Sequence, residues 1–201
     1  MTRLFSLYIF LIICNCSFGQ LQRLEGSPRQ LTEKEEKIDA ENRNCIYQKK
    51  FTAQQRLEIF PFKKAAKIQI VSFDKPDSII SGGEIPINDK SVEYSKLKEI
   101  KTLNSIEIDT LTDILYNNIY KGHFFTSFKS NCYNPRNAIL FIDPSGQDYA
   151  FIELCFQCNG FRTNSEDVQT GDFCDQKYNL LRSFFVRLGI AFGTDYESYE
   201  K

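Results

Sequence analysis

The chain of 201 residues has the composition of a folded protein with nearly balanced charge. Apolar residues make up 42% and aromatic residues 14%, enough to build a core and to exclude disorder of the whole chain. The 25 Lys and Arg residues against 26 Asp and Glu leave no field of one sign for a phosphate backbone, which disfavours nucleic-acid binding. A single histidine, His123, excludes most histidine-based catalysis and histidine-rich metal sites.

Residues 1–19 have the pattern of a cleavable export signal. Arg3 supplies positive charge, and residues 4–14 are almost wholly apolar but too few to span a bilayer. Small residues follow at Ser17 and Gly19, with the spacing of a cleavage site. The pattern predicts removal of this segment and a mature protein that is periplasmic or secreted, without a transmembrane span.

Lipidation is the alternative to simple cleavage. Cys14 and Cys16 lie at the end of the apolar stretch, where a lipidated cysteine would stand. The residues just before them, Ile13 and Asn15, are not the small residues that a lipobox prefers. We therefore expect a soluble mature protein, with an N-terminal lipid anchor as the alternative.

The first part of the mature chain is polar and the next part predicts strands. Residues 20–54 predict either a mobile arm or a short helix that begins at Thr32. Residues 56–62 contain a proline that limits any strand there to a sheet edge. Apolar and polar residues alternate over residues 66–73, as in a half-buried strand, and residues 97–103 predict another strand. A loop rich in Gly and Pro lies between them.

Two segments predict amphipathic helices. The first has capping-box spacing at Asn104 and Glu107 and is expected to close at Gly122. The second is expected to begin at Asp172 and to close at Gly189. Each has one apolar stripe, formed by Ile108, Leu111, Leu115 and Ile119 in the first helix and by Tyr178, Leu181, Phe185 and Leu188 in the second.

A β-hairpin is predicted between the two helices. Its strands are residues 137–142 and 149–156, on either side of a turn-rich stretch, with a third strand near residues 161–164. This order of elements predicts an α+β two-layer sandwich, in which a mostly antiparallel sheet of three to five strands carries both helices on one face. We expect one such domain over residues 55–201.

Five cysteines remain after cleavage, at positions Cys45, Cys132, Cys155, Cys158 and Cys174. In an exported protein such cysteines form disulfides by default, and an odd count leaves one unpaired. Folding the hairpin about its turn gives partners whose numbers sum to about 291, which predicts a Cys132–Cys158 bond across its open end. Cys155 and Cys174 are then expected to form the second bond, which leaves Cys45 without a disulfide partner.

The Cys155–Cys158 spacing also matches two functional motifs. A redox dithiol normally lies at a helix N-terminus, where the dipole lowers the pKa of the thiol, but here the motif ends a strand. A zinc site would need a second such pair or histidines at ligand spacing, and the other cysteines and His123 are scattered. We expect structural disulfides without metal or cofactor, and a thiol–disulfide redox protein is the alternative.

The strand at residues 149–156 has two different faces. One row is apolar and is expected to meet the helices: Ala150, Ile152, Leu154 and Phe156. The other row is expected to lie on an open face: Tyr149, Phe151, Glu153 and Cys155. The register places Glu153 diagonal to Arg136. This predicts either a cross-strand ion pair of little energetic weight or a site where Arg136 and Glu153 grip a polar ligand.

Several segments resemble a group of uncharacterised exported proteins of Bacteroidetes-type bacteria. The most distinctive are Cys132–Ile139 (CYNPRNAI) and Ile152–Cys158 (IELCFQC), together with Phe60–Phe62, Ile70–Phe73 and Leu111–Asn117. The resemblance spans residues 55–193 and implies export and the cysteine framework. It implies no activity.

These features predict a non-enzymatic exported binding or interaction protein, of which an inhibitor or immunity-type protein is one version. We recognise no nucleophile elbow, phosphate loop or pair of catalytic carboxylates in the sequence, so we predict no catalytic residue. The expected partner is a protein or a small molecule. The alternatives are a redox enzyme using Cys155 and Cys158, and a hydrolase acting through Glu153, for which the sequence positions no second group.

Overall fold

The computed structural model describes residues 30–74, 84–89, 91–125 and 132–195. The predicted signal peptide lies outside these ranges. The helices are α1 (Glu33–Asn42), α2 (Ala53–Leu57), α3 (Ser105–Asn117) and α4 (Lys177–Arg187). The strands are β1 (Cys45–Tyr47), β2 (Lys67–Phe73), β3 (Ile87–Asn88), β4 (Ser91–Val92), β5 (Leu97–Thr102), β6 (Asn118–Tyr120), β7 (Asn137–Ile142), β8 (Asp148–Cys155) and β9 (Gly160–Thr163).

Five strands form the main sheet, in the order β5-β2-β7-β8-β9, and each neighbouring pair is antiparallel. Helices α3 and α4 cover one face, where Leu111, Leu115, Leu181 and Phe185 pack against Ile139 and Ile152. The expected α+β sandwich is therefore confirmed. The apolar row of β8 meets the helices as the alternation of the sequence predicts, since side chains along a strand point to opposite faces in turn.

The second face of the sheet is covered rather than open. Residues 84–89 and 91–92, which we call the strap, contain the short β3–β4 hairpin and place Ile85 and Val92 on this face. They bury an apolar patch that would otherwise meet water, formed by Val71, Phe73, Ala138, Leu140 and Ile142. The expectation of an open face is wrong for this reason, and β2 is buried on both faces rather than half-buried.

Helix α3 begins where the sequence predicts and ends earlier. The Asn104 side chain accepts from the N–H groups of Ile106 and Glu107, and the Glu107 carboxylate in turn accepts the N–H of Asn104. The helix ends at Asn117 and does not reach Gly122, because the following residues form β6 and pair with β1.

Helix α4 begins later than predicted. Asp172 does not cap it, since its carboxylate accepts from the N–H of Tyr120, and Cys174 lies in a disulfide ahead of the helix. The helical turn starts only at Lys177. It ends close to the predicted position, with Gly189 just beyond the last turn at a φ of +87° that favours glycine.

The segment before residue 55 packs on the domain over its described part. Thr32 caps α1 through a capping box with Glu35, so the short helix predicted there forms. The strand β1 that follows pairs with β6. Residues 56–62 form no strand, since α2 begins at Ala53 under a Thr52 cap and the chain then passes through a cis Phe60–Pro61 peptide bond.

Two disulfides connect the described cysteines. Cys132 and Cys158 are bonded across the open end of the β7–β8 hairpin, as the register predicts. The second bond joins Cys45 to Cys174, with a Cα–Cα distance of 5.1 Å, and Cys155 is free and buried. The predicted Cys155–Cys174 bond is wrong, because Cys174 is bonded to Cys45, and Cys155 alternates along β8 with Leu154, which packs against the helices.

Candidate functional site

Glu153 is a carboxylate buried near the end of β8, with 1% of its surface exposed. One carboxylate oxygen accepts the N–H of Ile85 in the strap, and the other accepts the Tyr133 hydroxyl at 3.2 Å. The second oxygen also accepts the Nε–H of Arg162 at 3.0 Å. These bonds compensate the loss of water, which would be costly for an unpaired charge.

Arg162 links this buried carboxylate to the surface. It stands directly opposite Glu153 in the β8–β9 ladder, and a second nitrogen lies 2.9 Å from the Glu153 carboxylate. Its third nitrogen lies 3.0 Å from Glu84, and the guanidinium carbon lies 5.1 Å from the centre of the Tyr133 ring. Burial alone would lower the pKa of Arg162, but the charge and hydrogen bonds of Glu153 raise it on balance.

Tyr133 completes the polar cluster above the strand. Burial is the main reason that its pKa lies above the usual value for tyrosine, and the negative charge of Glu153 raises it further. The phenol is therefore a hydrogen-bond donor over the physiological pH range. Gly160 packs against this ring, since a Cβ there would lie 3.2 Å from it.

A pocket of about 220 Å³ opens beside the cluster, between β8, β9 and the strap. It is lined by Glu84, Ile85, Ile87, Phe151, Glu153, Arg162, Thr163 and Asn164. Asn164 makes a fixed wall, because its side-chain oxygen accepts the N–H of Phe151 at 3.0 Å and its nitrogen donates to the carbonyl of Tyr149. Glu84 and Ile87 are exposed at the rim.

The pocket combines apolar walls with an excess of negative charge. Ile85, Ile87 and Phe151 supply apolar surface, while Glu84, Glu153 and Arg162 carry a net charge of one negative unit, counted from their formal charges. A group with an apolar stem and a cationic tip matches both features. The Phe151 ring is also a surface on which a cation is attracted.

The structure separates the two residues that the sequence suggested as a ligand site. Glu153 lines the pocket and lies opposite Ala138, as the register predicts. Arg136 lies elsewhere, with its guanidinium 2.8 Å from the Asp74 carboxylate, and Arg162 rather than Arg136 forms the ion pair with Glu153. Arg162 could have been found by folding residues 156–159 as the turn of a second hairpin, which aligns it with Glu153.

Cys155 lies next to this site but is not part of a dithiol, because Cys158 is bonded to Cys132. Its sulfur accepts the N–H of Asn134 at 3.4 Å. Burial raises the pKa of the thiol, although nearby N–H groups oppose this effect. Both burial and a raised pKa make a cysteine a poor nucleophile.

Lys177 is a buried cation that the sequence analysis did not identify. Its ammonium group donates to the carbonyl of Leu115 near the end of α3. Burial lowers its pKa to about 8, while the charge of Asp172 acts in the opposite direction. Lys177 thus satisfies a carbonyl that the helix leaves unpaired, which is a structural role.

Comparisons with known proteins add no relationship: no family model, curated protein or solved structure matches this chain. The resemblance to exported proteins of Bacteroidetes-type bacteria therefore stays a prediction. Within the described ranges, no group of three or more His, Cys, Asp or Glu residues is arranged to hold a metal ion. In the same ranges, no helix is both long enough and apolar enough to cross a bilayer.

Proposed function

We propose that this chain is an exported, non-enzymatic binding protein that receives a cationic group in the pocket between the strap and the β8–β9 hairpin. The observation that carries the proposal is the combination of two carboxylates with apolar walls in one pocket. Glu84 is the exposed acceptor at the rim, with 63% of its side chain accessible. Glu153 supplies buried negative charge behind it.

The polar groups of the pocket suit binding better than proton transfer. A general base needs a lone pair that is available to the substrate. The Glu153 carboxylate already accepts hydrogen bonds from three residues, Ile85, Tyr133 and Arg162. Glu153 therefore acts as a hydrogen-bond acceptor in the wall of the pocket.

The size of the pocket favours one side chain of a protein partner over a free metabolite. Small-molecule sites usually measure about 300–1,000 Å³. The volume here is about 220 Å³, which suits a single Lys or Arg side chain. An inhibitor or immunity-type protein that engages a protein partner is consistent with this size.

The covalent framework supports export. Disulfides persist in oxidising compartments, and this fold is closed by two of them. The pattern of residues 1–19 predicts the same destination.

The test uses a tryptophan placed in the pocket wall, since the chain contains none of its own. Phe151→Trp places a single tryptophan in the pocket wall, and Tyr47→Trp places one on strand β1, which belongs to a separate two-stranded sheet and does not line the pocket. We expect arginine amide and lysine amide to change the emission of the first variant and not of the second. Norleucine amide, which keeps the apolar stem and the α-amino group but lacks the side-chain charge, should bind at least tenfold more weakly.

A rim variant completes the test. Adding Glu84→Gln to the Phe151→Trp protein should weaken the binding of arginine amide about threefold to tenfold, since one carboxylate is lost. If neither cationic amide changes the emission of Phe151→Trp at its highest soluble concentration, the proposal is wrong. It is also wrong if norleucine amide binds as well as lysine amide.

A further inference from the structure

Strand β9 lies at one edge of the main sheet. Among the strands that the structure describes, it pairs with β8 alone. Its register with β8 is regular over all four residue pairs, without a bulge. An edge strand of this kind presents backbone groups that another extended chain can pair with.

The outward-facing groups of β9 follow from the ladder. The N–H of Phe151 points to the β9 side, because it donates to the Asn164 side chain that extends this strand. Backbone groups along a strand alternate between its two sides, so those of Glu153 point the same way and meet its partner Arg162. The backbone groups of Phe161 and Thr163 therefore point away from β8.

The opposite edge of the sheet, β5, carries three features that protect a sheet edge. It carries Lys98 and Lys101, and its pairing with β2 is irregular at Ser72 and Phe73. Its Glu99 carboxylate accepts the N–H groups of Ala191 and Phe192, which holds the C-terminal segment against it. Lysines, irregular pairing and covering segments are the usual protection of a sheet edge.

The surroundings of β9 favour an apolar and a basic side chain in alternation. On the helix side, Phe161 is 39% exposed and its ring stacks on Phe173 at 3.9 Å. On the strap side lies the pocket with the exposed Glu84. Exposed carboxylates at Glu166 and Asp167 lie three and four residues after the end of the strand.

We infer that β9 accepts an extended, basic segment of a protein partner as a sixth strand of the sheet, with one Lys or Arg side chain in the pocket. This inference rests on the proposed binding function and names the class of its ligand. Side chains of the added strand alternate between the two faces. Residues of one parity therefore meet the Phe161 ring, while those of the other parity meet the pocket and its carboxylates.

A second copy of the chain is a poorer occupant. Pairing two β9 strands through the outward groups of Phe161 and Thr163, with the longest overlap, sets the two Arg162 residues directly opposite one another. Like charges in that position destabilise a strand pair. A basic segment of another protein also sets a cation beside Arg162, but the carboxylates around the strand, Glu84, Glu153, Glu166 and Asp167, outnumber this one arginine.

The experiment uses Phe161→Trp, which places the single tryptophan on strand β9, and capped hexapeptides as probes. A Lys-Val alternating peptide should shift its emission, and a Glu-Val peptide of the same length should bind at least tenfold more weakly. A Lys-Val peptide with N-methyl groups along one edge loses the strand hydrogen bonds and should also bind at least tenfold more weakly. Equal binding of all three peptides overturns the inference, and so does no shift with any.

Two variants of the Phe161→Trp protein sharpen the result. The double variant Glu166→Gln with Asp167→Asn removes two exposed negative charges and should weaken the binding of the Lys-Val peptide threefold to tenfold. Thr163→Pro removes an outward N–H and should weaken it at least fivefold, with circular dichroism confirming the fold. If this double variant binds the Lys-Val peptide as tightly as the Phe161→Trp protein does, the argument from charge is wrong.

The two proposals fail in different ways. If cationic amides bind to Phe151→Trp but no peptide affects Phe161→Trp, the proposed cation-binding pocket stands and the inference of strand addition at β9 is wrong. Sedimentation of the free protein as a dimer, which the Lys-Val peptide does not dissociate, assigns the edge to a second copy and also overturns the inference.

Discussion

Arg162 lies directly opposite Glu153 across the β8–β9 ladder, and its guanidinium is 2.9 Å from the buried carboxylate. The same guanidinium reaches Glu84 in the strap at 3.0 Å. One cation thus holds together the edge strand, the strand beside it and the segment that covers the sheet. The binding proposals and the stability of this corner depend on the same contact.

Removing the cation should destabilise the fold. In Arg162→Met the carboxylate of Glu153 stays buried without its ion-pair partner, and we expect the free energy of unfolding to fall by about 3 kcal/mol. Urea denaturation measures this change. Replacing both partners, in Glu153→Met with Arg162→Met, should recover at least half of the loss, because no unpaired charge remains. A double variant as unstable as the single one would contradict this account.

Lys177 should make stability depend on pH. Its folded pKa of about 8 lies below the usual lysine value of 10.5, so the unfolded chain binds more protons than the folded chain between pH 8 and pH 10.5. Stability therefore rises as the pH increases from 8 towards 10, by about 2 kcal/mol. Above pH 10 the buried tyrosines oppose this rise, since burial raises the pKa of Tyr116 and Tyr178.

The control for this prediction is Lys177→Met, which keeps the length of the side chain. Its free energy of unfolding should stay nearly flat between pH 8 and pH 10, apart from the changes that both proteins share. Chemical denaturation at a series of pH values gives the comparison. Parallel curves for the two proteins would show that Lys177 is not the group responsible.

Cys155 should behave as a buried structural thiol. We expect the native mature protein to resist iodoacetamide, and one thiol to react after denaturation without a reductant. Five thiols should react after reduction, which mass spectrometry counts. Rapid labelling of Cys155 in the native protein would favour the alternative of a thiol–disulfide redox protein. Cys155→Ser should leave both disulfides intact.

The two disulfides should contribute unequally. Cys45 and Cys174 are 129 residues apart, whereas Cys132 and Cys158 are 26 apart. The entropy of loop closure predicts losses of about 5 and about 3.5 kcal/mol when each pair is changed to serine. Thermal and urea unfolding of the two double variants test this order. A larger loss for Cys132→Ser with Cys158→Ser would mean that native contacts outweigh the chain entropy.

The sequence alone determined the features that depend on neighbouring residues. The Asn104 and Glu107 capping box placed the start of α3, because its hydrogen bonds join residues three apart. The turn of the β7–β8 hairpin set the register, which in turn paired Cys132 with Cys158. Alternation along β8 identified the row that meets the helices.

Tertiary structure decided the contacts between distant segments. The bond between Cys45 and Cys174 depends on where β1 packs, which no local pattern encodes. The strap that covers the second face turned the expected open surface into a buried Glu153 with a pocket beside it. Such contacts form only once the sheet exists, because each needs a partner surface that strands remote in sequence build together.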